Sequence, residues 1–71
     1  MALEGMTRGN LEAVPASEAS LLVWTLSPRE RVGEITVADD GRFEATHATA
    51  GFAGVHKTLS EALAALEERV P

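Results

Sequence analysis

The chain of 71 residues contains no cysteine. A disulfide framework and a zinc site with cysteine ligands are therefore both excluded. Long hydrophobic runs are also missing: an uninterrupted stretch such as Leu21–Trp24 has four apolar residues, whereas a bilayer-spanning helix needs about 20. The amino terminus has no basic segment followed by an apolar one, so it does not resemble a secretory signal. We predict a protein without a membrane span, and the lack of cysteine favours the reducing cytoplasm.

Basic residues are scarce as well. Six lysines and arginines stand against eleven aspartates and glutamates, which gives a net charge of −5. This is the wrong sign for a general binder of nucleic acid or of anionic membranes. With 45% apolar residues the chain is too hydrophobic to be wholly disordered. Its length allows one small domain and little room for an enzyme pocket, so we predict a protein that is not an enzyme.

Residues 1–17 have apolar positions with neither helical nor strand periodicity, and Pro15 interrupts the one helical turn they suggest. We predict a flexible leader over 1–17, or else an arm that orders on a partner or a second subunit. Residues 18–71 then form a single small β-β-β-α domain.

Three segments alternate as antiparallel strands do, over residues 19–26, 31–37 and 42–48. The sequence Ala38-Asp-Asp-Gly41 between the second and third is a hairpin signal, because glycine can adopt the positive φ that closes the turn. Asp39 and Asp40 are explained by this turn, where their side chains face water, and we assign them no catalytic role.

The carboxy-terminal segment predicts a helix. Thr58 and Glu61 have the spacing of a capping box. The apolar residues that follow form one stripe at helical spacing: Leu59, Ala62, Leu63, Leu66 and Val70. We predict an α+β fold, a three-stranded antiparallel meander packed on one face by a C-terminal α-helix. We place these residues on the covered face: Leu22, Trp24, Leu26, Ile35, Val37, Phe43 and Ala45, with Phe52 at its edge.

Two patterns weakly resemble ligand sites. His47 and His56 would need Glu44 or Asp40 to complete a metal site, and their spacing is not a ligand signature. Residues 51–58 are similar to a phosphate loop but lack the glycine that should directly precede Lys-Thr. We therefore predict no metal, no cofactor and no catalytic residue.

The segment Gly41-Arg-Phe-Glu-Ala45, followed by a short loop and His56-Lys-Thr-Leu-Ser-Glu-Ala-Leu63, resembles the end of small β-β-β-α minidomains. These are the AP2-type and phage-integrase amino-terminal DNA-binding domains, and the resemblance covers residues 20–70. It implies that the exposed sheet face would read the DNA major groove. The matching positions here are Val32, Glu34, Thr36, Arg42, Glu44 and Thr46.

The first predicted strand is apolar on both faces. We place Leu21, Val23, Thr25 and Val32 on the face away from the helix and name them the candidate interface. Three explanations are open for these apolar side chains: residues 1–17 fold back over them, they form a subunit contact, or they are simply exposed. We favour a small non-catalytic interaction module that forms a homodimer and could engage a protein partner. The alternatives are a nucleic-acid-binding minidomain, which the acidic charge disfavours, and a regulatory subunit that binds an anion at Thr58.

Overall fold

The computed structural model describes residues 3–69 and confirms the α+β class, an antiparallel sheet with one C-terminal helix. The sheet has six strands, so the prediction of three was wrong. The strands are β1 (Met6–Arg8), β2 (Leu11–Ser17), β3 (Ser20–Thr25), β4 (Arg31–Val37), β5 (Phe43–His47) and β6 (Gly51–His56), and the helix is α1 (Leu59–Glu67). Neighbours in sequence are neighbours in the sheet, which is a six-stranded meander.

The predicted leader is part of the sheet. Residues 6–17 form the hairpin of β1 and β2, which is closed by Gly9 and Asn10 with Gly9 at a φ of 57°. Pro15 is compatible with a strand because pairing with β1 stops at Ala13, and a proline is accepted where no ladder partner requires its N–H. Residues 1 and 2 of the predicted leader lie outside the described residues.

The core lies between α1 and one face of the sheet, which we call the inner face. Its buried apolar residues come from every strand except β1: Leu11, Ala13, Leu21, Val23, Ile35, Ala45 and Ala53, with Ala62, Leu63 and Leu66 of the helix. The predicted burial of Ile35 and Ala45 is confirmed, and Val37 and Phe43 pack at the margin of this core. The opposite sheet face is the outer face.

The predicted orientation of the first strand was wrong. Leu21 lies directly opposite Ile35 in the β3–β4 register, and Val23 lies opposite Gly33. Directly paired residues share a sheet face, so Leu21 and Val23 belong to the core. Leu22 and Trp24 face outward and are half-buried, and Leu26 is exposed. Phe52, predicted to close the core, is also exposed.

The helix begins as predicted. The Glu61 amide donates to Oγ1 of the N-cap residue Thr58 at 3.1 Å, and the Glu61 carboxylate accepts from the Lys57 amide at 3.3 Å. Gly33 lets the helix and β5 approach the centre of the sheet. A Cβ at this position would lie 2.4 Å from the Thr46 carbonyl oxygen and 3.4 Å from Leu66. The predicted stripe residue Val70 lies outside the described residues.

Candidate functional site

The outer face of the sheet carries apolar side chains that the described chain leaves without a covering element. No helix of residues 3–69 packs on it, because α1 lies on the inner face with the core. It carries half-buried Val14, Leu22 and Trp24 on β2 and β3, and exposed Phe52 and Val55 on β6. Glu34, Thr36, Glu44 and Thr46 lie between these two apolar groups, on β4 and β5.

The apolar group on β2 and β3 is built by cross-strand pairs. Val14 lies opposite Leu22, and Glu12 lies opposite Trp24. Directly opposite side chains touch, so each pair forms one continuous piece of surface. Arg29 folds over the indole of Trp24, with its guanidinium carbon 5.3 Å from the ring centroid. We call Glu12, Val14, Leu22, Trp24 and Arg29 together the β2–β3 strip.

The charges of the strip cancel. Arg29 donates from Nη1 to Glu12 Oε1 at 2.7 Å, and its guanidinium faces the indole ring at the same time. Both charged side chains are partly exposed, so this pair contributes at most about 1 kcal/mol to stability. Its larger effect is to hold the Arg29 guanidinium over the Trp24 ring. The strip is therefore an apolar surface with one neutralised ion pair at its end.

The four residues of the predicted interface do not form a surface. Leu21 and Val23 are 0% exposed and Thr25 is 6% exposed, because all three point into the core side of β3. Val32 is half-buried and packs against the core. Leu21, Val23 and Thr25 are therefore closed to a second chain, and Val32 is only partly accessible. The corresponding outward positions on the same strand are Leu22 and Trp24.

Thr25 and Val32 instead meet at a cleft of about 470 Å³ at one end of the sheet. The cleft lies between the β3–β4 connection, residues 26–30, and the β5–β6 turn, residues 48–50. The Thr25 hydroxyl donates to the carbonyl of Pro28 and accepts from the Glu30 amide at 3.1 Å. The connection is therefore tied to the last residue of β3, which holds one wall of the cleft.

The two histidines occupy separate positions and hydrogen-bond to their own loops. His47 is buried and its Nδ1 faces the amides of Thr49 and Ala50. His56 is half-buried and its Nε2 lies 2.9 Å from the carbonyl oxygen of Ala53. Within residues 3–69 no cluster of three histidine, aspartate or glutamate side chains has the geometry to hold a metal ion.

The loop at residues 51–58 is not a phosphate loop. Residues 51–56 form strand β6 of an antiparallel sheet, whereas a phosphate loop follows a parallel strand.

The predicted hairpin at Asp39 and Asp40 is present, with Gly41 at a φ of 84° and its amide donating to the Ala38 carbonyl at 2.9 Å. Asp40 accepts from the Arg42 amide within this turn, at 3.0 Å.

Sequence reasoning missed β2, and with it two of the five residues of the β2–β3 strip. The available signal was the pair Gly9-Asn10, which is typical of a two-residue hairpin loop, followed by alternating Leu11 and Ala13. Glu12 and Val14 fall on the opposite side of that alternation, and both belong to the strip.

No known protein family matches this chain, and neither a curated protein nor a solved structure is similar to it. Over residues 3–69 the structure has no helix with the length and apolar character needed to cross a membrane.

Proposed function

We propose that the protein is a small non-catalytic interaction module that forms a homodimer through the β2–β3 strip. The observation that supports this most strongly is the position of Val14, Leu22 and Trp24, which lie together on a sheet face that residues 3–69 leave uncovered. Two antiparallel sheets that pack face to face bury such side chains between them. The proposed dimer uses β3, as the sequence predicts, but through the opposite face of the strand.

The edges of the sheet are less suitable for association than its face. Edge β1 has only three residues. Edge β6 has an irregular register against β5, with Gly54 at a φ of 96°, and the His56 ring contacts the Ala53 carbonyl oxygen. Short edge strands and bulges are features by which natural sheets avoid edge-to-edge pairing. These features favour contact through the outer face.

The strip is complementary to itself. A two-fold axis parallel to the strands and midway between β2 and β3 would place Val14 of one protomer over Leu22 of its partner. The same operation would bring Glu12 near the partner's Arg29, so that each charge meets its opposite. Glu34 and Glu44 lie on β4 and β5, away from this axis. A dimer centred on the strip therefore keeps these carboxylates out of its middle, although each chain carries a net charge of −5.

The same surface argues against nucleic-acid binding. Three charged positions match those of the DNA-binding minidomains: Glu34 and Glu44 are acidic, and the one base, Arg42, is paired with Asp40 at 3.5 Å. We accordingly expect no binding to a fluorescent DNA duplex at low salt, and a salt-dependent affinity would support the alternative function instead. Our proposal keeps the cytoplasm as the location, because a chain without cysteine needs no oxidising compartment.

The test is molar mass by light scattering after size exclusion, at about 50 μM protein, a concentration that populates weak dimers. We expect twice the protomer mass of 7.5 kDa for the wild type and the protomer mass for Leu22→Lys. Thr36→Lys is the matched control, since Thr36 is exposed on the same face but outside the strip. A monomeric wild type, or equal disruption by both variants, would contradict the proposal.

A further inference from the structure

The β6 side of the outer face carries a second group of apolar side chains, separate from the β2–β3 strip. Phe52 and Val55 are 61% and 47% exposed, the two highest values among the large apolar side chains of residues 3–69. They face the same way, because Phe52 lies opposite Thr46 and Val55 lies opposite Glu44, both on the outer face of β5. Neighbouring exposed apolar side chains, unlike isolated ones, are characteristic of binding surfaces.

Two carboxylates border this apolar pair. Half-buried Glu44 is directly beside Val55, and exposed Glu34 lies on β4, diagonal to Glu44 in the β4–β5 register. Diagonal neighbours are about 7–8 Å apart, so the two negative charges reinforce each other. The ion pairs among residues 3–69 use other acids, and neither of these carboxylates takes part in them. We call Glu34, Glu44, Phe52 and Val55 together the acidic–apolar patch.

The charge of the acidic–apolar patch selects its partner. A second copy of the patch would bring two further carboxylates onto the two already there, in a chain of net charge −5, and like charges oppose such a contact. Nucleic acid and anionic membranes are repelled for the same reason. A protein segment with lysine or arginine beside apolar residues would cover the apolar pair and neutralise the carboxylates at the same time.

We propose that the acidic–apolar patch binds a basic amphipathic helix of another protein. A sheet face offers side chains and no free backbone groups, so the partner must satisfy its own backbone hydrogen bonds, as a helix does. The spacing also fits a helix. Thr46 and Glu44, which lie opposite the apolar pair, are two residues apart on β5, about 7 Å, and helix positions i and i+4 are about 6 Å apart along the axis.

Two apolar side chains of this helix cover Phe52 and Val55, and basic side chains on its adjoining side pair with Glu44 and Glu34. The inference does not rest on the proposed dimer, because Glu44, Phe52 and Val55 lie on β5 and β6, outside the β2–β3 strip.

The test is a titration of the ¹⁵N-labelled protein with a synthetic helical peptide of about 18 residues. The peptide consists of leucine, lysine and alanine, with the leucines in one stripe at i, i+4 spacing and the lysines beside them. We expect saturable shifts of the amide resonances of residues 44–46 and 52–55, and an affinity that falls as salt rises. A peptide with glutamate in place of lysine should not bind. One with glutamine in place of leucine should bind at least about fivefold more weakly, and equal affinity would overturn the proposal.

Two pairs of variants separate the patch from general effects of charge and apolar surface. Phe52→Ser should weaken peptide binding at least about fivefold, whereas Leu26→Ser removes an exposed apolar side chain elsewhere and should leave it unchanged. Glu44→Gln should weaken binding about two- to fivefold, whereas Glu68→Gln, at the end of α1 on the other side of the sheet, should not.

Three results would each overturn the proposal: no saturable shifts, equal losses in a variant and its control, or a monomer mass for Phe52→Ser under conditions where the wild type is dimeric. The last result would make the patch a contact between copies of this chain. A monomeric wild type that binds the peptide as described would support the patch and contradict the dimer.

Discussion

Leu21 and Leu22 are consecutive leucines of β3, and they occupy opposite environments. Leu21 is fully buried between the sheet and α1, opposite Ile35. Leu22 is half-buried on the outer face, opposite Val14. The two faces of the same strand are almost equally apolar, yet only one is covered by the described chain. Apolar character alone therefore does not say which face is the core. The strand register determines which face is the core, and the remaining apolar face becomes available for binding.

The largest effect should come from truncating Leu21, with the truncation of Leu22 as its comparison. Leu21→Ala removes a fully buried side chain and should lower the free energy of unfolding by about 2–5 kcal/mol. Leu22→Ala should lower it by about 1 kcal/mol or less, because its side chain is already partly in water. Urea denaturation of dilute protein measures both. Equal losses would mean that the two faces are not distinguished as described.

The inner face should also be sensitive to added volume. Gly33→Ala would place a methyl group against the Thr46 carbonyl and Leu66. We expect a loss of about 1–3 kcal/mol. Gly51→Ala is the control, since its Cβ would meet nothing within 4 Å and only its φ of 84° is unfavourable, which costs about 1–2 kcal/mol. Thermal unfolding that ranked Gly51→Ala as clearly the more damaging of the two would argue against close packing at Gly33.

A smaller effect is expected at the helix that covers the inner face. Thr58→Ala removes the acceptor of the Glu61 amide and should cost about 1 kcal/mol. Thr58→Ser keeps an acceptor at the same place and should retain most of that stability. Melting curves of the three proteins measure this difference. An unchanged curve for Thr58→Ala would exclude the cap as a source of stability.

The smallest expected effect is a change in the fluorescence quenching of Trp24 on the outer face, with no change in stability. Trp24 is half-buried in one protomer, so iodide should quench its fluorescence in dilute protein. In the proposed dimer the indole is covered, and quenching should decrease as the protein concentration rises. Leu22→Lys should show no such dependence on concentration. If quenching of the wild type did not change with protein concentration, Trp24 would lie outside the dimer contact.

Local sequence signals predicted the parts of this fold that depend only on residues close in sequence. The capping box at Thr58 and the turn at Gly41 were found because each is specified within four residues. The faces of β3 were assigned wrongly because its alternation is apolar on both sides, and the pairing with Ile35 is a long-range property. The strand β2 was missed because Pro15 weakens its local strand pattern, although it lies outside the pairing with β1.

The candidate sites were less predictable than the fold. Glu12 and Val14 joined the strip only once β2 was known, and the cleft depends on how two separate loops meet. His47 is buried, and its Nδ1 accepts from the amides of Thr49 and Ala50. That arrangement could not be foreseen, since it depends on which residues of the turn donate to the ring.

The central claim is that the outer strip of β2 and β3 is the contact between two copies. The most direct measurement is an isotope-filtered NOE experiment on a mixture of ¹³C-labelled and unlabelled protein, which detects only contacts between chains. We predict cross-peaks between the Val14 methyls of one protomer and the Leu22 methyls of its partner. Cross-peaks confined to Phe52 and Val55, or no intermolecular cross-peaks at a concentration where the mass is doubled, would contradict the account.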